Sequence, residues 1–346
     1  MSETDVRAHV SILATPGRSH WIVRCSSDAI RVRRTAGRVT GSARDPSANE
    51  AVRPVLEAAE ATLDRLRAAL SASDVQSVVI RATNGRVEAL ARIECPCGPV
   101  VLGGRGPNAA EELIAAASEL LVASFHPGPP SHPGQKWGHR PLMVGPGAVA
   151  VVLVAARWLL GSPSARALQH RRLLPDVSLV DRPVEHEEGD SDDAGHPAAR
   201  MTLVDHGRIT LPEPGGDPPP GRACWLHDTQ RLGSGAGLDL TLSAVPTMQA
   251  PPGRLQLVCV VEGLRRYYND GIVRLSCIAR TDDDPRCFRL WLRGNPLAML
   301  RAVRAGCGVP RTVFSEHAVT TPALLLPSAS QLSTLKGNNR VSVSPL

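Results

Sequence analysis

The sequence predicts an α+β protein of two domains, an N-terminal α/β domain with helices laid on a sheet and a C-terminal domain that is mainly β. Three observations predict it. Aromatic residues make up 3% of the 346 residues while Gly and Pro number 30 each, so the cores must be built from Val, Leu, Ile and Ala, which suits sheets covered by Ala-rich helices. Residues 47–70 set Val52, Val55, Leu56, Ala59, Leu63, Leu66 and Leu70 at helical spacing, the stripe of an amphipathic helix. Finally, His126-Pro127-Gly128-Pro129-Pro130-Ser131-His132-Pro133-Gly134 cannot hold regular structure and reads as a linker, in a chain long enough for two ordinary domains.

Before the first helix, residues 9–39 carry short apolar runs, Trp21-Ile22-Val23 and Ala29-Ile30-Arg31-Val32, separated by turn residues, and read as strands. After it, 75–82 and 86–93 form a strand pair around Asn84-Gly85, a dipeptide that accepts the positive φ of a hairpin turn. A second helix is expected from Asn108, with Asn108 as N-cap and Glu111 as its capping-box partner, running to about Ser124. Beyond the linker come an apolar segment (143–160), an acidic loop (185–193) and a strand-like run (201–210) turning at His206-Gly207. Pro-Gly loops at 212–221 and 251–253 then frame strands at 255–262, 272–279 and 288–292. The expected organisation is an N-terminal domain over 1–125, a Pro/Gly/His linker over 126–139, a C-terminal domain over 140–327 and a polar, flexible tail over 328–346.

The formal charge is +6, and of the 39 basic residues all but Lys136 and Lys336 are arginine. A nucleic-acid binder clusters positive charge on one face and interleaves aromatics. Here only Arg31, Arg33, Arg34 and Arg38 form a local group, and strand alternation divides Arg34 from Arg31 and Arg33. No nucleic-acid partner is therefore expected. The start of the chain shows no basic region followed by an apolar run, so a cytoplasmic location is expected. No membrane span is expected either, since 148–160 is too short and contains Arg157. The eight cysteines are scattered and read as small buried hydrophobes in a reducing compartment.

Several clusters invite a chemical reading. His126, His132 and His139 flank the linker and could offer imidazoles to zinc, but nothing rigid holds them, and a solvated linker is the simpler reading. Cys95-Pro96-Cys97 has one residue between its thiols where zinc knuckles and redox motifs use two. His186, His196 and His206 surround Glu185, Glu187, Glu188, Asp190, Asp192 and Asp193, a run that reads as a solvated acidic loop rather than a cation site. Gly233-Ser234-Gly235-Ala236-Gly237 lacks the Gly-Lys-Ser/Thr ending of a phosphate loop.

From Gly145 onward the order of features resembles the TldD/PmbA (TldD/TldE) metallopeptidase family. The stretch from Gly145-Pro146-Gly147 through Ala155-Ala156-Arg157-Trp158-Leu159-Leu160-Gly161 is similar to the apolar helix that bears HExxxH in TldD-type subunits. Ser191-Asp192-Asp193-Ala194-Gly195 resembles the family's Phe-Asp-Asp-Glu-Gly turn, and Leu203-Val204-Asp205-His206-Gly207-Arg208-Ile209 its strand-Asp-Gly-strand hairpin. Gly294-Asn295-Pro296-Leu297 resembles its Gly-Asn-Leu, 322–327 its closing strand, and Gly306-Cys307-Gly308 the Gly-x-Cys-Gly that supplies a cysteine ligand. The resemblance covers about 140–327, with a shortened counterpart in the N-terminal domain.

The departures are as informative. The resemblance places Val154 and Leu159 at the two histidine positions and Ala155 at the glutamate, so two metal ligands and the general base are missing. It implies a TldE-like subunit lacking HExxxH, with no catalytic residue and no cofactor of its own, Cys307 surviving as a possible remnant ligand, and zinc carried by a TldD-like partner. The expected function is that of a non-catalytic subunit of a heterodimer that cleaves peptides or amides, with maturation of a modified-peptide natural product as a special case. Asp192, Asp193, Gly195, Gly207, Gly294 and Asn295 are expected to be structural. The alternatives are a scaffold protein derived from the family, and an enzyme with a metal re-sited on His126, His132, His139 or Cys307.

Overall fold

The computed structural model describes residues 8–15, 18–25, 28–35, 38–40, 53–70, 74–83, 86–126, 137–160, 167–172, 175–182, 200–210, 223–226, 231–234, 239–243, 246–261, 271–315, 317–334 and 341–345. The chain divides into two compact units, Met1–Ala123 and Ser124–Leu346. With helices and strands in both, the architecture is α+β.

The first unit contains β1 (Ala8–Thr15), β2 (Arg18–Cys25), β3 (Asp28–Thr35), β4 (Arg38–Thr40), α1 (Arg53–Ala69), β5 (Val75–Thr83), β6 (Arg86–Cys95), β7 (Gly98–Arg105) and α2 (Ala109–Leu121). Its strands pair antiparallel throughout in the order β4-β3-β2-β1-β5-β6-β7. The helix α1 returns the chain from the β4 side to a place beside β1, burying Val55, Ala59, Leu63 and Leu66 against a core that includes Ile80, Ile93 and Leu113. Thr83 pairs with Arg86, which brackets the expected hairpin; its two turn residues lie outside the described residues.

Two local expectations need correction. The first helix spans Arg53–Ala69 within the stretch expected over 47–70, of which 47–52 lie outside the described residues, and the second helix ends at Leu121 rather than near Ser124. The capping box at Asn108 does not form. Asn108 has φ −105° and ψ 25° and makes no side-chain cap bond, whereas a capping residue needs extended backbone. Glu111 instead meets Arg65 of α1 at 2.8 Å, and Glu112 accepts from the Arg105 backbone N–H at 3.2 Å.

The second unit opens with β8 (Leu142–Val144) and α3 (Pro146–Leu160), then β9 (Ser178–Arg182), β10 (Met201–Asp205), β11 (Arg208–Ile209), β12 (Ala223–Leu226), β13 (Arg231–Ser234), β14 (Asp239–Ser243) and β15 (Thr247–Met248). It continues with β16 (Leu255–Val260), β17 (Val273–Thr281), β18 (Asp284–Gly294), α4 (Pro296–Arg301), β19 (Ala305–Ser315), β20 (His317–Leu326), α5 (Ala329–Ser333) and β21 (Val341–Pro345). β20 is the hub. One edge pairs with β19, and the other is shared by β14, parallel at 318–320, and β8, antiparallel at 324–326. From β14 the sheet runs through β9 and β10 to β11; from β8 it runs through β16, β17 and β18 to β21.

α3 lies on this sheet as a core helix. Pro146 fills its first turn, where a missing N–H costs nothing. Nine of its side chains are buried, from Ala148 through Leu160, Arg157 among them; apolar residues on all sides are what a buried helix requires. At Gly145 the chain passes so close to β16 that a Cβ would stand 2.8 Å from the Leu257 carbonyl oxygen. Among the described residues no helix is long and apolar enough to cross a membrane. The charged exception, Arg157, donates from Nε to Asp181 Oδ2 at 2.9 Å, and Asp181 is 0% exposed.

The stretch from Ser328, expected to be a loose tail, is ordered where it is described. Ser328 and Gln331 form a reciprocal capping box that starts α5, and β21 pairs with β18 with Val341 fully buried. The ends of the expected linker are also held. Phe125 bridges to Cys287, with backbone bonds of 2.7 Å on either side, and Trp137–His139 makes a single 3-10 turn; 127–136 lie outside the described residues.

Removing one member of the buried pair leaves the other charge uncompensated, so Asp181→Ala should cost about 3–5 kcal/mol of stability. The double replacement Arg157→Met with Asp181→Leu should recover most of that loss, as measured by urea unfolding of the two variants beside the wild type.

Candidate functional site

The positions that the family resemblance singles out on α3 have no donor atoms, and their surroundings are apolar. Ala155 is 1% exposed and belongs to the main core; Val154 is half-buried and packs against that core, and Leu159 is half-buried. Valine, alanine and leucine do not fit a zinc ion, which takes nitrogen, sulfur or oxygen ligands.

The end of α3 meets a second resemblance stretch. A Cβ at Gly271, where φ is +68°, would lie 3.5 Å from Leu159 Cδ2 and 3.2 Å from Asn295 Nδ2, so these three positions converge. Asn295 has the extended backbone of an N-cap, and its Oδ1 accepts from the N–H groups of Leu297 at 2.9 Å and Ala298 at 3.4 Å. The Asn295 oxygen is therefore engaged in starting α4, with Pro296 supplying the pre-set φ of the first turn. Gly294 closes β18, in register with Val273 and Val341.

Cys307 sits elsewhere. It lies on β19 in a small cluster with Met143, Ala305 and Leu325, while the flanking Leu142, Val144, Leu324 and Leu326 point into the α3 core. Because strand side chains alternate, the sheet itself stands between Cys307 and the α3 positions. Burial pushes its thiol pKa up, opposed by the nearby Arg254 charge, which disfavours the thiolate that metals bind.

The other candidates are dispersed. His126 is tied by its backbone N–H to the Cys287 carbonyl, and His139 is exposed on its 3-10 turn. His206 and Gly207 take φ of 44° and 79°, the two left-handed positions of a tight hairpin between β10 and β11. The imidazole of His206 reaches Asp176 with Nδ1 2.7 Å from Oδ1, both exposed. Cys95 and Cys97 are buried at the β6–β7 connection, Cys95 Sγ donating to the Gly98 carbonyl at 2.8 Å. Burial alone pushes the Cys277 thiol up to about 12. His132, His186, His196, the acidic run from Glu185, and Asp192, Asp193 and Gly195 lie outside the described residues, as do Gly235 and Gly237. Among the described residues no three His, Cys, Asp or Glu side chains converge as metal ligands.

Sequence reasoning missed the ion pairs that hold this unit. Besides Arg157–Asp181, the buried Arg140 clamps Asp283 through two bonds of 2.6 and 2.7 Å, and Arg254 meets Asp282 at 3.2 Å. The Arg140 guanidinium holds the Asp283 carboxyl well below the usual carboxylate range. The clamp fastens the β17–β18 hairpin to the entry of β8. Three consecutive aspartates, Asp282-Asp283-Asp284, signal a turn, but their partners are remote in sequence.

No family profile and no curated protein sequence matches the chain. Solved structures do. TldE from Thermococcus kodakarensis superposes with a TM-score of 0.53 at 11% identity, covering 93% of this chain and 94% of that one. A protein from Bacteroides thetaiotaomicron described as a candidate modulator of DNA gyrase superposes at 0.51 with 10% identity, covering 99% and 93%. The chain has a TldE/PmbA-like fold; at such identities the likeness is one of fold.

Placing a carboxylate at Ala155 buries a charge with no partner, so Ala155→Glu should cost at least about 3 kcal/mol rather than create a base; thermal or urea unfolding reads the loss. The clamp predicts a pH dependence. Since the folded-state pKa of Asp283 is depressed, its contribution is complete above the ordinary carboxylate range near about 4 and is lost as pH falls below it. Wild type should lose more stability than Arg140→Met between about pH 5 and pH 2, with the difference moderated because Asp283 is 42% exposed. Unfolding midpoints of both proteins across that range test it.

Proposed function

We propose that this chain is a non-catalytic TldE-like subunit of a heterodimeric metallopeptidase, and that a TldD-like partner carries the zinc and the chemistry. The observation that supports this reading is the composition of α3: Val154, Ala155 and Leu159, which the resemblance lays on the ligand and base positions, cannot bind a metal or take a proton, and Ala155 is packed into the core. The fold likeness to TldE supports the pairing. The substrate is a peptide or amide held between the two subunits, with a modified-peptide natural product as one case. The partner's metal activates the water that attacks the carbonyl; this chain contributes surface and shape. Asp192, Asp193, Gly195, Gly207, Gly294 and Asn295 serve the fold.

Co-expression with a metal-bearing family partner tests the reading. The expected outcome is a stable heterodimer burying at least about 1,000 Å², with peptide cleavage that disappears when the partner's glutamate is replaced. A stable pair that cleaves nothing would favour a scaffold. Cleavage by the isolated chain, sensitive to His126, His139 or Cys307, would favour a re-sited metal and contradict the proposal.

A further inference from the structure

The face of the C-terminal sheet opposite the α3 core carries unbalanced charge. Leu275, Cys277, Leu290, Leu292 and Val341 enter the core, so alternation sends Arg274, Ser276, Ile278, Arg280, Cys287, Arg289, Trp291, Arg293, Ser342 and Ser344 to the other face of β17, β18 and β21. Ser276, Ile278 and Cys287 are buried there, and the open part of the face is the end that carries Arg274 and Arg293, with Arg289 and Trp291 half-buried beside them. Contacts confirm the assignment. The Arg274 guanidinium lies 4.1 Å from the Trp291 ring centre, Arg289 donates from Nη2 to Ser276 Oγ at 2.9 Å, and Arg280 donates to Gln256 at 3.2 Å. No outward position on these three strands is a carboxylate. Arg274 stands directly opposite Arg293 in the β17–β18 register, both exposed. Like charges so placed are destabilising, and among the described residues none of Arg274, Arg289 and Arg293 has an acidic partner.

We propose that this arginine face of β17–β18 docks an extended acidic segment of a partner protein. Carboxylates at alternate residues of an extended peptide repeat at the same spacing as outward strand positions, and guanidinium forks bind carboxylates two bonds at a time. Trp291 and Ser276 fix two of the forks in place, which lowers the ordering cost of binding. A docked anion relieves the Arg274–Arg293 repulsion. Single-stranded nucleic acid fits less well, because it needs open aromatic faces for stacking and Arg274 already lies over Trp291. The proposal stands independently of any metallopeptidase role.

The test is fluorescence anisotropy of a labelled peptide of alternating Glu and Ser against the full chain, with a Gln-Ser peptide and a single-stranded oligonucleotide of equal charge as comparisons. The Glu peptide should bind, weaken at least about tenfold between ~50 and ~300 mM salt, and weaken at least about tenfold on Arg293→Glu. The melting temperature of Arg293→Glu should be unchanged or higher, since the new carboxylate faces Arg274; if it falls, Arg293→Gln at unchanged melting temperature should still weaken binding at least about threefold. Equal binding of the Gln-Ser peptide, undiminished binding by both variants, or tighter binding of the oligonucleotide would overturn the proposal.

Discussion

The C-terminal unit depends on the burial of one helix whose only buried charge is neutralised from the sheet. α3 places Leu153, Ala156 and Leu160 in the main core, and Arg157 reaches Asp181 on β9, the strand that joins β10 to β14. A guanidinium in that position is tolerable only with its carboxylate in place. The pair therefore ties the helix to a single strand register, while the surrounding aliphatic contacts supply the apolar burial that favours folding. A helix packed in this way presents Ala155 to the core, where an ionised side chain would be costly.

That constraint bears on function. The resemblance lays three apolar residues of α3, Val154, Ala155 and Leu159, on ligand and base positions that they do not suit, and Cys307 lies across the sheet from them, in an environment that disfavours its thiolate. Asn295 is committed to capping α4. These features are consistent with a subunit whose contribution is made through its surfaces. The arginine face on β17 and β18 offers one such surface, where Arg274 and Arg293, like charges, stand opposite each other in the register.

Much of the architecture was legible because periodicity and turn chemistry are local. The α1 stripe, the Asn84-Gly85 bracket, the hairpin at His206-Gly207 and the apolar run of α3 all rest on residues close in sequence. The box at Ser328 and Gln331 was equally local, yet the polar composition of the C-terminal residues concealed it; Leu332 and Val341, both buried, were the available signal. Asn108 failed because its backbone is not extended, and Glu111 lies instead beside Arg65 of another helix. The partners of Arg157 and Arg140 are remote in sequence and become visible only when strands are assembled. So does the arginine face, which requires the β17–β18 register to show that Arg274 opposes Arg293.

The central claim, that this chain carries no metal chemistry of its own, is tested most directly by elemental analysis of the isolated full-length protein after dialysis against buffer containing zinc and then zinc-free buffer. The account predicts no stoichiometric zinc and no change on Cys307→Ala. One metal ion per chain, lost in the Cys307→Ala variant while its melting temperature is preserved, would contradict it.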